Sequence, residues 1–224
     1  MKDTLTLEFY EKYFRENLNE SKKQHINQMY NKKIYFKIKR FLDIILSLVG
    51  LVIGIPCVLL FGILIYLESP GNVIFKQQRV GKDGRIFTLY KLRSMQLDAE
   101  KHGQKWAEKN DCRILKVGKF IRKTRIDEIP QLINILKGEM TLIGPRPEVP
   151  KFTYEFDKEY PGFTKRLTVT PGLTGLAQVS GGYEMSPGEK LEKDLEYIKN
   201  QSVKLDVYII FKTVSVVLTG DGAR

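Results

Sequence analysis

Two carboxylates and several cations crowd one short stretch, Arg122-Lys123-Thr124-Arg125-Ile126-Asp127-Glu128-Ile129-Pro130. Asp127 and Glu128 stand at the start of a predicted helix, about Glu128 to Leu136, with Ile129, Leu132, Ile133 and Leu136 as its apolar stripe. Pro130 is tolerated there because first-turn amides have no intrahelical partner. Helix N-termini favour anions, so the pair reads either as a cap complementing the dipole or as part of a phosphate-handling site. On this stretch alone the cap is the commoner outcome. Gly144-Pro145-Arg146-Pro147 shifts the balance, because two prolines fix φ on both sides of Arg146 and hold its planar fork for bidentate contact with a phosphate. Lys91 and Arg93, on alternate positions at the end of a predicted strand, add cations on one face. A carboxylate nucleophile, a second carboxylate and several cations are what phosphoryl transfer asks for, usually with a divalent metal. No GxxxxGKS/T pattern occurs, so ATP is not the expected donor.

The segment that must position these groups at a boundary lies upstream. Leu42 to Leu67 reads as 26 residues with a single charge, Asp43, which makes it a membrane-helix candidate. Some 40 residues precede it and no small-residue cleavage site follows, so it is not a signal peptide. Seven basic residues and one acid (Glu20) lie in Glu20 to Arg40; six basic residues and two acids lie in Glu68 to Arg93. Positive charge favours the cytoplasmic side, so both flanks want the same side. Pro56 removes a backbone donor and disfavours helix at Ile55. Limbs of roughly 14 residues, about 20 Å each, are shorter than a ~30 Å hydrocarbon core. A helix that enters, bends at Ile55-Pro56 and returns therefore satisfies both constraints better than a kinked span.

Before that segment, Phe9, Tyr13, Tyr30, Tyr35 and Phe36 interleave with lysines; an amphipathic helix at headgroup level and a solvated arm fit equally well. After it, Val73–Phe75 and Ile86–Tyr90 flank Gly81-Lys82-Asp83-Gly84, a hairpin signal. Residues 94 to 118 read as a helix and a loop. The Gly/Pro-rich segments 138–150 and 170–182 read as irregular, and Pro187 to Asn200 as helical. Val203 to Leu218 has a broad apolar face with Lys204, Asp206 and Lys212 opposite, credible as an interfacial or core helix.

Composition sets outer limits. The 224 residues carry 37 Lys+Arg against 26 Asp+Glu, a net charge of +11 that points to an anionic partner. Cys57 and Cys112 make neither a zinc pattern nor a disulfide framework, and His25 and His102 form no ligand cluster.

In order, the stretches KRFLDIILSLVGLVIGIP, ESPGNVIFKQQRVGKDGRIFTLYKLRSM, RIDEIPQLINILKGEMTLIGPRP and TPGLTGLAQVSG resemble the bacterial sugar transferase family, the monotopic polyprenyl-phosphate phosphoglycosyl transferases. The resemblance runs from about Lys39 to Thr219. It implies a fold that is α+β, mainly α. A re-entrant membrane helix hairpin (39–68, with an amphipathic arm, 1–38) would precede a cytosolic catalytic domain (69–224) with a small β-hairpin and interfacial amphipathic helices. It implies a catalytic Asp127–Glu128 dyad, with Asp127 attacking the β-phosphate of a UDP-sugar, UMP leaving, and undecaprenyl phosphate taking the phosphosugar by ping-pong kinetics. Mg²⁺ near Asp127 is implied, as are phosphate contacts from Lys91, Arg93, Arg122 and Pro145-Arg146-Pro147. Pro56 matches the family's helix-breaking proline. A phospholipid membrane is the other implied partner, no nucleic acid is, and a homo-oligomer is compatible. The implied location is the bacterial inner membrane, with the active site facing the cytoplasm. Thr170 and Leu176 stand where many relatives carry a basic and an aromatic residue, and the first 38 residues cannot hold the extra membrane helices of large relatives. A non-enzymatic basic membrane tether would explain the charge but not the DE pair beside PRP, and multi-span UDP-sugar transferases need about ten apolar segments rather than one.

Overall fold

The computed structural model describes residues 6–18, 32–99 and 111–219. Helix α1 (6–18) is followed by α2 (Lys33–Glu68) and by the antiparallel strands β1 (Ile74–Val80) and β2 (Ile86–Leu92). Then come α3 (Lys116–Lys123), a 3₁₀ turn (Ile126–Glu128), α4 (Gln131–Lys137), β3 (Thr141–Ile143) and α5 (Pro150–Glu159). A second 3₁₀ segment (Phe163–Thr168), β4 (Gly172–Thr174) and α6 (Leu176–Ser180) lead to α7 (Pro187–Asn200) and α8 (Val203–Thr219).

The hairpin forms where its turn residues place it, with Ile74 opposite Leu92 and Val80 opposite Ile86. Asp83 at φ 59° and Gly84 at φ 76° turn the chain. Helix α7 starts at a capping box: Ser186 accepts from the Glu189 amide and Glu189 accepts from the Ser186 amide, with Pro187 in the first turn. The two Gly/Pro-rich segments depart from the expectation. Each contributes three residues to a parallel pair, Thr141 beside Gly172 and Ile143 beside Thr174. Glycine allows the approach, since a Cβ on Gly172 would lie 2.1 Å from the Gly144 nitrogen.

Helix α2 does not stop at Ile55. Helical backbone runs through Pro56 over all 36 residues, and packing on the body supports both sides of the missing donor. One face, including Asp43, Ser47, Gly54, Gly62 and Ile65, is buried against the body. Gly54 lets α2 sit directly on Ile129, where a Cβ would come within 2.7 Å of Cγ2. Asp43 accepts from the Thr141 hydroxyl (2.6 Å) and the Leu142 amide (2.9 Å). Arg40 donates to the Ile135 and Leu136 carbonyls at the end of α4, joining the Gly138 amide on the first of them. At the far end Glu68 accepts from the Lys116 and Val117 amides and so caps α3. The opposite face is bare: Val52, Ile53 and Leu67 are each 70 % or more exposed.

Part of the N-terminal stretch docks on the body, a third outcome beside the two expected. Phe14 and Leu18 of α1 bury against Val80 and Leu167, and the Tyr13 hydroxyl donates to Asp157. Phe9 is half-exposed and meets Tyr154 edge-on; Tyr30 lies outside the described residues. In α8, Asp206 turns inward, 8 % exposed, and accepts from Tyr35, Lys39 and Tyr197. The apolar stripe Val203, Val207, Ile210, Phe211, Val214 and Leu218 faces out.

Candidate active site

Asp127 and Glu128 sit in the 3₁₀ turn that links α3 to α4, entered through Arg125 in the left-handed region at φ 59°. Neither caps a helix, because the residue before α4 is Pro130 and no side chain bonds there. Glu128 faces Arg146: Nη2 donates to Oε1 at 2.6 Å and Nη1 lies 3.5 Å from Oε2, while Arg125 Nη1 is 3.7 Å from Oε1. Asp127 is 6 % exposed, and its Oδ1 is buried without a hydrogen-bond partner.

The two carboxyls are driven apart. Burial first, then the charge of Glu128, pushes Asp127 up to about 6, against the pull of Lys91, Arg122 and Arg125. Burial would raise Glu128 too, but Arg146 and Arg125 outweigh it and hold that carboxyl below its usual range. Burial also brings the Lys91 ammonium down to about 8, with Arg79, Arg122 and Arg146 pushing the same way and Asp127 opposing. One carboxylate is thus locked as a charged partner while its neighbour is poised near neutrality, a division of roles found where acid–base or nucleophilic work is done.

Lys91, Arg122 and Arg146 therefore share one electrostatic site with the dyad. Arg93 is placed differently. Strand β2 ends at Leu92, and Arg93, 4 % exposed, donates to the Ser69 carbonyl at the end of α2. The Pro145-Arg146-Pro147 loop is held by its carbonyls: Pro145 accepts from the Gly172 amide (2.8 Å), Arg146 from Arg166 Nη2 (2.8 Å) and Pro147 from Arg79 Nη1 (2.9 Å). Arg79 was not singled out by the sequence, since a lone arginine in a strand carries no signal; only the hairpin brings it to Pro147 and Lys91.

Among the described residues no three His, Cys, Asp or Glu side chains gather as metal ligands. The unpartnered Asp127 oxygen fits a divalent cation that takes one protein carboxylate and completes its shell with substrate phosphate and water, the habit of Mg²⁺.

Comparison with known proteins gives the context. The family described as "Bacterial sugar transferase" matches residues 34–220. The UDP-N-acetylgalactosamine-undecaprenyl-phosphate N-acetylgalactosaminephosphotransferase of Aeromonas hydrophila is 50 % identical over 194 residues, 85 % of this chain and 46 % of its own length. A putative undecaprenyl-phosphate N-acetylgalactosaminyl 1-phosphate transferase of Bacillus subtilis (strain 168) is 59 % identical over 133 residues, 59 % of this chain and 74 % of its own. The UDP-glucose:undecaprenyl-phosphate glucose-1-phosphate transferase of Escherichia coli (strain K12) is 40 % identical over 182 residues, 79 % and 39 % of the two lengths. The chain thus spans less than half the length of the first and third of these relatives. With the family matched over 187 consecutive positions that take in α2, the dyad and both Gly/Pro-rich segments, the chain belongs to the bacterial sugar transferase family.

Proposed function

We propose that this chain transfers a sugar 1-phosphate from a UDP-sugar to undecaprenyl phosphate and releases UMP, the opening membrane step of a bacterial surface-glycan pathway. The observation that carries the reading is the buried, partnerless Asp127 oxygen inside a ring of cations. An Asp127 carboxylate oxygen attacks the donor's β-phosphorus. The bond to the bridging oxygen breaks, UMP departs with those electrons, and an aspartyl-phosphosugar remains. A phosphate oxygen of undecaprenyl phosphate then attacks the same phosphorus and expels the Asp127 carboxylate, giving undecaprenyl-diphosphate-sugar. Lys91, Arg122 and Arg125 face the developing charge, and Glu128 keeps Arg146 aimed across the site. Asp127 is the residue that would hold Mg²⁺, which when bound neutralises phosphate charge. Purified chain with a panel of UDP-sugars, undecaprenyl phosphate and Mg²⁺ should release UMP with at least one donor; no release with any donor would favour a non-catalytic membrane tether.

The pH profile follows from the two shifts. Asp127 must be ionised to attack, so kcat/KM should fall as pH drops through about 6. Lys91 must be charged to meet phosphate, so it should fall again as pH rises through about 8. A rate that stays flat down to pH 5 would refute the Asp127 limb.

A re-entrant course for α2 is part of the same proposal. Lys32 at one end bonds the Gln201 carbonyl and Glu68 at the other caps α3, so both ends rest on one body. A straight 36-residue helix would measure about 54 Å, whereas a body of this size is only about 40 Å across. A bend at Pro56, toward a body on one side of the bilayer, reconciles these lengths. The bare faces of α2 and α8 would then meet lipid and the basic flanks the cytoplasmic headgroups. In a background lacking the native cysteines, Lys33→Cys and Lys76→Cys should both react with an impermeant maleimide only when the cytoplasmic face is open. Labelling of either from the periplasm would contradict the re-entrant course.

A further inference from the structure

Pro145 and Pro147 have no N–H to give, so the loop carrying Arg146 depends on donors that reach its carbonyls from elsewhere. Three elements supply them: Gly172 from β4, Arg79 from β1 and Arg166 from the 3₁₀ segment Phe163–Thr168. The Arg166 arrangement is the most costly of the three. Its Nε donates to Asp194 Oδ2 at 2.9 Å and its Nη2 lies 2.6 Å from the same oxygen, with the two side chains 5 % and 1 % exposed. Phe163 lies under the guanidinium at 4.8 Å. Asp194 Oδ1 has no partner, and burial holds that carboxyl above its usual range although Arg166 pulls it down. A buried ion pair of this kind adds little net stability compared with well-packed apolar side chains, so another reason for it should be sought. Following the bonds gives one: Asp194 orients Arg166, Arg166 grips the Arg146 carbonyl, and Arg146 grips Glu128.

We infer that Arg166 and Asp194 are a positioning pair for the transfer reaction, fixing the Arg146 guanidinium against Glu128 without touching substrate. The inference rests on the reading of Asp127, Glu128 and Arg146 as the active site. It separates orientation of the site from stability of the fold, and a double substitution can tell the two apart.

In Arg166→Met/Asp194→Leu the pair is replaced by apolar side chains, and the melting temperature should stay within a few degrees of the parent. Turnover should nonetheless fall about tenfold, the order expected when a supporting contact is lost and a charged group shifts by a fraction of an ångström, with KM for the UDP-sugar changing less than kcat. The single Asp194→Asn, nearly isosteric, should lower kcat in the same direction by less. In an Arg146→Lys background the same double substitution should cost no more than about twofold, because residues acting through one another are not additive. A tenfold loss in both backgrounds, or full turnover in the double variant, would overturn the pair's role. Parent-like turnover in Arg146→Lys alone would be a different failure, removing Arg146 from the site and with it the reading on which the pair depends.

Discussion

Asp127→Asn should lower UMP release by about 10⁴-fold or more, because the amide cannot form the acyl-phosphate and the rest of the site supplies only positioning and charge. Its effect on stability should run the other way. Asp127 ionises near 3.8 when unfolded and is raised to about 6 in the folded protein. Between those values the folded state holds a proton that the unfolded chain has released, so ionisation of Asp127 draws stability down as pH rises through this window. Asparagine has no charge to bury. At pH 7.5 the variant should melt no lower than the parent and should still partition into membranes, since α2 is untouched. A dead enzyme with an unchanged or raised melting temperature supports a site that trades stability for reactivity. Undiminished turnover would move the nucleophile elsewhere, and a large drop in melting temperature would make Asp127 structural.

The next largest effect is expected from the middle of α2. A Cβ at Gly54 would come within 2.7 Å of Ile129 Cγ2, an atom too close to the main chain to swing away, and Ile129 directly follows Glu128. Gly54→Leu should therefore push the turn that bears the dyad. A displacement of about 1 Å costs roughly 10²-fold in rate when it misaligns reacting groups. The exposed face of α2 is unchanged by the substitution, so membrane flotation should be normal while kcat falls about a hundredfold. Normal kcat in lipid nanodiscs would mean that α2 anchors the chain without holding the site.

These two positions also show what the sequence could and could not disclose. The hairpin was legible because Gly81 to Gly84 supplies the positive φ its turn uses, and α7 because Pro187 to Asn200 keeps a helical pattern. Strands β3 and β4 were hidden: three residues are too few to show a period of two, and their pairing depends on the approach of Gly144 to Gly172, segments far apart in the chain. Arg93 was grouped with Lys91 by strand alternation, but the strand ends one residue earlier and the side chain leaves for Ser69. Asp206 was placed with Lys204 and Lys212 opposite the apolar face of α8. An apolar periodicity says that two faces differ but not which one meets the body, and on α8 Asp206 turns inward with Ile209 while Lys204 and Lys212 stay exposed. In the site, the dyad and the PRP loop were legible as local motifs. Arg79, Arg166 and Asp194 were not, because each acts on a loop more than 15 positions away in the chain.

The contact between Gly54 and Ile129 also bears on how the chain can be handled in the laboratory. Cutting before Ser69 to obtain a water-soluble fragment would strip the cover from Ile129, Leu132 and Met140 and leave α3 without the carboxylate that closes its first turn. Such a fragment should aggregate rather than dissolve, so the smallest unit worth purifying includes Lys33–Glu68 and the amphiphile that shields its outer side.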